Sequence, residues 1–176
     1  ITDAFDQYGE DETIILCRSN KRAVRYNAGI RSAVQYKEER LVRNDKLMVV
    51  KNCYQFLTDV KGIDYIANGD IVKLLSINHY EDRYGLHFAE DYSHISSKKK
   101  RYEAVREDLF YNALQLKYAN AVTCHKSQGG QWKCVFIDNP FWMDEYTVDD
   151  YKWLYTALTR ATEKVYLVNF KDSNFI

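Results

Sequence analysis

Thr13 to Cys17 (TIILC) is a short β-branched run, and Arg18, Ser19 and Asn20 follow it, where Ser or Asn can cap a helix. The pattern predicts a strand, a turn and a helix reaching about Tyr36. In that helix Ala23, Val24, Asn27, Ala28, Ile30, Ser32 and Val34 give a mixed apolar face, and Lys21, Arg22, Arg25 and Arg31 an exposed basic side. From Asp45 to about Phe88 the period changes to two, in KLMVVKN, YIANGDIVKLLSIN and YGLHF, with Asn68, Gly69 and Asp70 as a tight turn. That segment predicts a small antiparallel β-barrel. Lys98 to Arg101, after a serine pair, reads as a solvated loop. Helix and strand periods then return. Cys134 to Asp138 (CVFID) predicts a buried strand ended by Asn139 and Pro140. Thr147 with Asp150 forms a capping-box pattern, starting a helix through Leu154, Ala157 and Leu158 to about Ala161, and Lys164 to Phe170 (KVYLVNF) predicts a last strand. Strand, helix and strand in succession point to an α/β fold with parallel packing and the barrel inserted in its middle.

Composition narrows this picture without naming a ligand. At 176 residues the chain suits one domain with a small insertion. A formal charge of zero and a pI near 7.1 exclude an overall basic field, so any affinity for nucleic acid must come from local charge. Fifteen tyrosines favour strands and half-exposed packing surfaces over disorder. Cys17, Cys53, Cys124 and Cys134 lie far apart with no CxxC pair, and no secretory leader opens the chain. Reduced thiols in a cytoplasmic protein are expected, without zinc. No apolar run approaches the roughly 20 residues that span a bilayer. The chain opens at Ile1, with strand signal within fifteen residues, which suggests a piece of something longer.

Candidate chemistry gathers in ANAVTCHKSQGGQW, residues 119 to 132, where Thr123, His125, Lys126, Ser127 and Gln128 precede Gly129 and Gly130. Hydroxyls, backbone amides and short cations hold a sugar-phosphate chain in register without reading bases. The same composition also describes a polar surface turn. Lys51, Asn52, Tyr54 and Phe56 mix cations and rings that can stack on bases, or form the core and rim of the barrel. Arg160 is either a helix-terminal cation facing the dipole or a planar cation free to reach an anion across a cleft. Pro140, Asp144, Asp150 and Lys152 loosely suggest a metal-dependent nuclease, against which Asp150 in a first helical turn is ordinarily a cap. A Cys124/His125 nucleophilic pair is disfavoured because neighbours in sequence seldom face one another. A binding module that holds single strands and never meets a nucleotide is the non-enzymatic alternative.

Four stretches in one order, ILCRSN (15 to 20), NGD (68 to 70), AVTCHKSQG (121 to 129) and LYTALTRA (154 to 161), resemble the C-terminal half of superfamily 1 DNA helicases. The resemblance is to the UvrD-like and especially the RecD-like type, the alpha subunit of exodeoxyribonuclease V. It implies a second RecA-like domain, residues 1–44 and 115–176, carrying a Src-homology-3-like barrel, residues 45–114, as an accessory domain. The GxxxxGKS/T phosphate loop and the magnesium-binding acidic motif of the family belong to its first RecA-like domain, and neither occurs here. ATP and Mg2+ are therefore expected to sit mainly on that N-terminal RecA-like domain, with single-stranded or duplex DNA as the other partner and no ATP hydrolysis by this chain alone. The resemblance makes Arg160 the arginine finger and Arg18 a second γ-phosphate arginine. It places Gln128, Gly129 and Gln131 near the nucleotide, where Tyr155 and Thr156 either contact it or brace the helix. It places Thr123 and His125 near single-stranded DNA; Lys126 and Ser127 beside them, and Lys51, Asn52 and Tyr54 of the barrel, are further DNA-binding candidates by their own chemistry. Gln131 departs from the glutamate that relatives carry as a ribose contact, although an amide can still bond a hydroxyl.

Overall fold

A strand buried on both faces cannot alternate apolar and polar residues, and TIILC does not. It forms β1 (Thr13–Cys17), every residue buried, in the computed structural model, which describes residues 1–54, 62, 64–77, 96–100, 103, 113–140 and 146–171. β1 lies parallel to β5 (Ala121–Thr123) on one side and β6 (Trp132–Asp138) on the other, and β7 (Ala161–Val168) continues the sheet beside β6. The order is β5-β1-β6-β7.

The period of two divides each strand between two helical layers. Ile14, Leu16, Val122, Val135 and Ile137 face Trp153 and Ala157 of α3 (Val148–Leu158). Ile15, Cys17, Ala121, Cys134 and Phe136 face Ala4 of α1 (Thr2–Tyr8) and Ala23 and Ile30 of α2 (Asn20–Ala33). Both predicted caps are present. The Ser19 hydroxyl accepts from the Arg22 amide, and Thr147 and Asp150 form a reciprocal capping box. All four cysteines are buried and free. Among the described residues no helix is long and apolar enough to cross a membrane.

A second sheet, antiparallel, has the order β3-β2-β4, with β2 (Lys46–Val49) central between β3 (Ile71–Lys73) and β4 (Leu116–Tyr118). Met48 of β2 packs into the core beneath α3. β4 comes after the segment that the sequence marks as the insertion, yet it pairs with β2, and only Ala119 and Asn120 separate it from β5. The Asn68-Gly69-Asp70 turn forms, with Gly69 at φ 109° and the Asp70 carboxylate accepting from the Ala67 amide at 2.8 Å. Closure into a barrel and the YGLHF strand lie outside the described residues.

Several expected boundaries move, each for a local reason. α2 stops at Ala33 rather than Tyr36, whose φ of 52° no α-helix accommodates. α3 ends at Leu158 and β7 runs from Ala161 to Val168, where Asn169 at φ 61° breaks the strand. Residues 98–100 are helical and exposed rather than a loop. The expected basic side of α2 also fails in part. Arg31 is buried, whereas Val24 on the expected apolar face is 57% exposed. Arg31 turns inward because Asp45, entering β2, is fully buried beneath it, and Lys37 adds a second cation 3.0 Å from the same carboxylate. The Arg31 guanidinium also covers the Tyr118 ring at 4.2 Å, fastening α2 to the antiparallel sheet. Burial pushes the Asp45 carboxyl up, but the Val42 amide, Lys37 and Arg31 outweigh it and hold it below its ordinary range.

Candidate functional site

β5 is an edge strand of three residues, and a side chain completes its hydrogen bonding. Asn27 of α2 donates to the Ala121 carbonyl at 2.7 Å and accepts from the Ala121 amide at 2.9 Å, as a neighbouring strand would. With β5 so fixed, the chain leaves Thr123 into a 3-10 turn, Cys124–Ser127. The Ser127 hydroxyl donates inward to the Cys124 carbonyl at 2.7 Å, and Gly130 donates back to the Ser127 carbonyl at 3.1 Å. Gly129 has φ 86°, and a Cβ on Gly130 would lie 2.4 Å from the Trp132 ring. Both glycines are thus demanded by the turn itself. Cys124 points into the core toward the Trp153 carbonyl, and burial raises its thiol pKa, against Ser127 and Arg160. A buried neutral thiol does not serve as a nucleophile.

The segment from Cys124 onward runs beside α3, and between them lies a cleft of about 360 Å³ lined by Arg18, His125, Gln128, Lys152 and Thr156. It opens at the carboxyl ends of β1 and β5, the edge at which open α/β sheets bind ligands. Arg18 pairs there with Asp150, and Lys152 lies 3.2 Å from Asp149. Asp150 also accepts from the Thr147 amide and hydroxyl at 2.9 and 2.7 Å. Arg18 first, then Thr147, lower its carboxyl to about 2. Asp150 is engaged as cap and counter-ion, and among the described residues no group of three or more His, Cys, Asp or Glu could hold a metal ion. Asp144 and Phe56 lie outside the described residues.

Arg160 sits at the far end of α3. Its guanidinium donates to the carbonyls of Thr156 and Gly130 and to the Thr159 hydroxyl, each at 3.2 Å, while its own carbonyl accepts from Trp132 at 2.9 Å. Among the described residues its partners are backbone oxygens and a hydroxyl, not a carboxylate. From Asp150 to Leu158 the helix rises about 12 Å at 1.5 Å per residue. Arg18 is thus held at the first turn of α3, and the Arg160 guanidinium folds back from the last turn onto Thr156, which lines the same cleft as Arg18. Gly129, Gly130 and exposed Gln131 accompany Arg160. Gln128 and Thr156 line the cleft between the two ends, although the Thr156 hydroxyl donates to the Lys152 carbonyl at 2.8 Å. Tyr155 is 70% exposed on the outer side of the helix.

The residues expected on DNA do not form one patch. His125 lines the cleft, Ser127 is buried with its hydroxyl turned inward, and Thr123 lines a separate groove of about 560 Å³ between α2 and the antiparallel sheet. Lys126 bonds the Asn68 side chain at 2.6 Å. Asn52 accepts from the Asn68 amide at 2.7 Å and donates to the Tyr54 hydroxyl at 3.2 Å, and Tyr54 packs on Tyr65 with centroids 5.2 Å apart. Lys51 is exposed beside them. Lys152 was legible only as part of a nuclease pattern; its place one turn beyond the Thr147 cap is the signal that puts it at the mouth of the cleft.

Residues 118–168 match the UvrD-like helicase C-terminal domain family. The fold is similar to that of the Pif1 helicase from Bacteroides, solved in complex with ADP-AlF3 and single-stranded DNA: TM-score 0.51, 15% identity, 93% of this chain and 42% of that one. The Pif1 helicase from Candida albicans gives a TM-score of 0.47 at 13% identity over 91% and 45%. The chain spans less than half the length of either. No curated protein matches it. The parallel sheet is of the RecA-like kind that the sequence led us to expect, beside a separate antiparallel sheet.

Proposed function

We propose, from the premise that this chain carries the C-terminal domain of a superfamily 1 helicase over residues 118–168, that it is the second lobe of a RecD-like, ATP-dependent DNA motor. In this reading residues 1–44 and 115–176 form the RecA-like lobe and 45–114 its accessory unit. A partner lobe with the phosphate loop supplies ATP and Mg2+, and this chain alone does not turn over. Repair or recombination by an exodeoxyribonuclease V type assembly is the setting that fits.

One observation carries the reading: Arg160 is held on backbone carbonyls, and among the described residues no carboxylate pairs with it. A planar cation of that kind stabilises the oxygens of a transferred phosphoryl group without moving a proton. Gly130, whose carbonyl it grips, lies on the segment that continues back to His125 and the cleft. Closing a nucleotide against Arg160 would shift the backbone that lines the strand-facing cleft, which is a physical route from hydrolysis to movement along DNA.

The test is ATP hydrolysis by the intact polypeptide that contains this chain. Arg160→Ala should lower the turnover rate by about 10³-fold or more while nucleotide binding persists, as loss of an arginine finger does. Arg160→Lys should restore the melting temperature better than the rate, because a lysine keeps the charge and not the planar fork. Equal hydrolysis in wild type and Arg160→Ala would remove the proposal. Strand affinity indifferent to nucleotide would favour a binding module without ATP linkage.

A further inference from the structure

The parallel sheet has two edges and treats them differently. At β5 the Asn27 side chain occupies the open edge, whereas β7, at eight residues, is bonded among the described residues to β6 alone. Its outer side carries backbone amides and carbonyls that a further strand can pair. The first half of β7 resists such pairing, because its ladder to β6 is irregular between Trp132 and Cys134 and it holds the charges of Glu163 and Lys164. Residues 165–168 (VYLV) carry no charge, and Tyr166 is 38% and Leu167 39% exposed. Apolar surface extends on both faces of this half. Tyr166 lies flat on Phe136, with ring centroids 4.6 Å apart and the Lys164 Nζ 5.5 Å from its own. On the opposite face Val165 packs with Leu154 against the core beneath α3. The helical period puts exposed Tyr151 and Leu158 on that flank of α3, away from the cleft-lining Lys152 and Thr156.

We propose that two copies of this chain join at that edge, β7 pairing antiparallel with the partner's β7 in one continuous sheet. A strand that meets its own copy across a two-fold axis perpendicular to the sheet sets one residue opposite itself at the centre. A centre at Glu163 or Lys164 would oppose like charges, which is unfavourable. One at Val165 would set Glu163 against the partner's Leu167, and one at Leu167 would run into Asn169, whose φ of 61° ends the strand. A centre at Tyr166 avoids all of these: Tyr166 meets the partner's Tyr166, Val165 the partner's Leu167, and Lys164 the partner's Val168. Side chains directly opposite one another share a face, so the valine and leucine pairs fall beside Tyr151 and Leu158, and the tyrosine pair falls on the other side. A covered tyrosine buries about 150–250 Å². Tyr151 and Tyr166, with Leu158 and Leu167, thus supply a substantial part of the roughly 800 Å² per partner of a standard interface. The inference goes beyond the helicase reading and does not rest on it.

The intact polypeptide that contains this chain is followed by sedimentation velocity over a range of concentrations, without nucleotide or DNA. The wild type is expected to pass from monomer to dimer as concentration rises. Tyr166→Lys and Tyr166→Glu each place like charges at the two-fold centre and should weaken dimerisation by about tenfold or more. An equimolar mixture of the two variants should dimerise again, because opposite charges then meet. Melting temperatures report any loss of the packing on Phe136, and a purely structural role for Tyr166 would not be rescued by mixing. Tyr151→Ala, outside the strand, should weaken dimerisation several-fold with little change in melting temperature. The outward amides of residues 165–168, those not bonded to β6, should exchange more slowly as concentration rises. A wild type monomeric at all concentrations, dimerisation unchanged in both Tyr166 variants, or a mixture no better than either variant alone would overturn the proposal. So would outward amides already protected in the monomer, which would give the edge to another part of the same polypeptide, or protected only when a different protein is added. None of these outcomes bears on the Arg160→Ala rate.

Discussion

Gly129 and Gly130 are indistinguishable in the sequence and differ in what requires them. The first takes a left-handed φ that a Cβ disfavours, and the second makes room for the Trp132 ring. Asp150 shows the same gap between residue type and role. The pattern of Thr147 with Asp150 announces a cap, but not Arg18, which lies 132 positions away along the chain. That ion pair fixes a pH dependence. Because Arg18 and Thr147 depress the folded-state carboxyl to about 2, below its ordinary 3.8, their stabilisation is present above about pH 4 and is lost as the pH falls toward 2. Carboxyl NMR of the wild type should show an inflection near 2, and Arg18→Ala should move it up toward 3.8. An unmoved inflection in Arg18→Ala would show that the cap alone lowers it.

Elements were legible where local rules decide them. β1, the two helix caps and the core of β6 follow from β-branched runs and from Ser19, Thr147 and Asp150, all read within a few residues. α2 was misread on one face for the opposite reason. Arg31 looks solvent-facing by helical period, and only the arrival of Asp45 beneath it makes burial favourable. The energies differ accordingly. Thr147→Ala removes one exposed cap and should cost about 1 kcal/mol. Asp45→Ala leaves buried Arg31 without its carboxylate and should cost about 3–5 kcal/mol. Denaturant unfolding of the two variants measures the difference; equal losses would mean that the buried pair adds nothing beyond an ordinary cap.

At the scale of the whole molecule, side chains link the two sheets at several points among the described residues, Lys46 to the carbonyls of Glu10 and Asp11 and Asn27 to that of Tyr118 among them. Lys126 bridges the 3-10 turn to Asn68, and Arg31 bridges α2 to Tyr118 and Asp45. Lys126 is partly exposed, so Lys126→Ala should cost under about 1 kcal/mol globally. It should nonetheless speed hydrogen exchange at the Asn68 amide, whose partner Asn52 leads on to Tyr54, while amides of β1 and β6 stay protected. Exchange at Asn68 that does not change would show that the turn is held without the bridge. The sequence by itself determined the α/β class, the buried strands, the capped helices and the stretch from Thr123 to Gln131 where chemistry concentrates, because each of these follows from periodicity or from residues within a turn of one another. Tertiary structure alone decided that Arg18 meets Asp150 at the first turn of α3 while Arg160 folds back onto Thr156, that Ser127 faces inward, and that Lys152 meets the cleft. Those placements depend on strand order and on the direction in which each element runs, which sequence spacing does not encode.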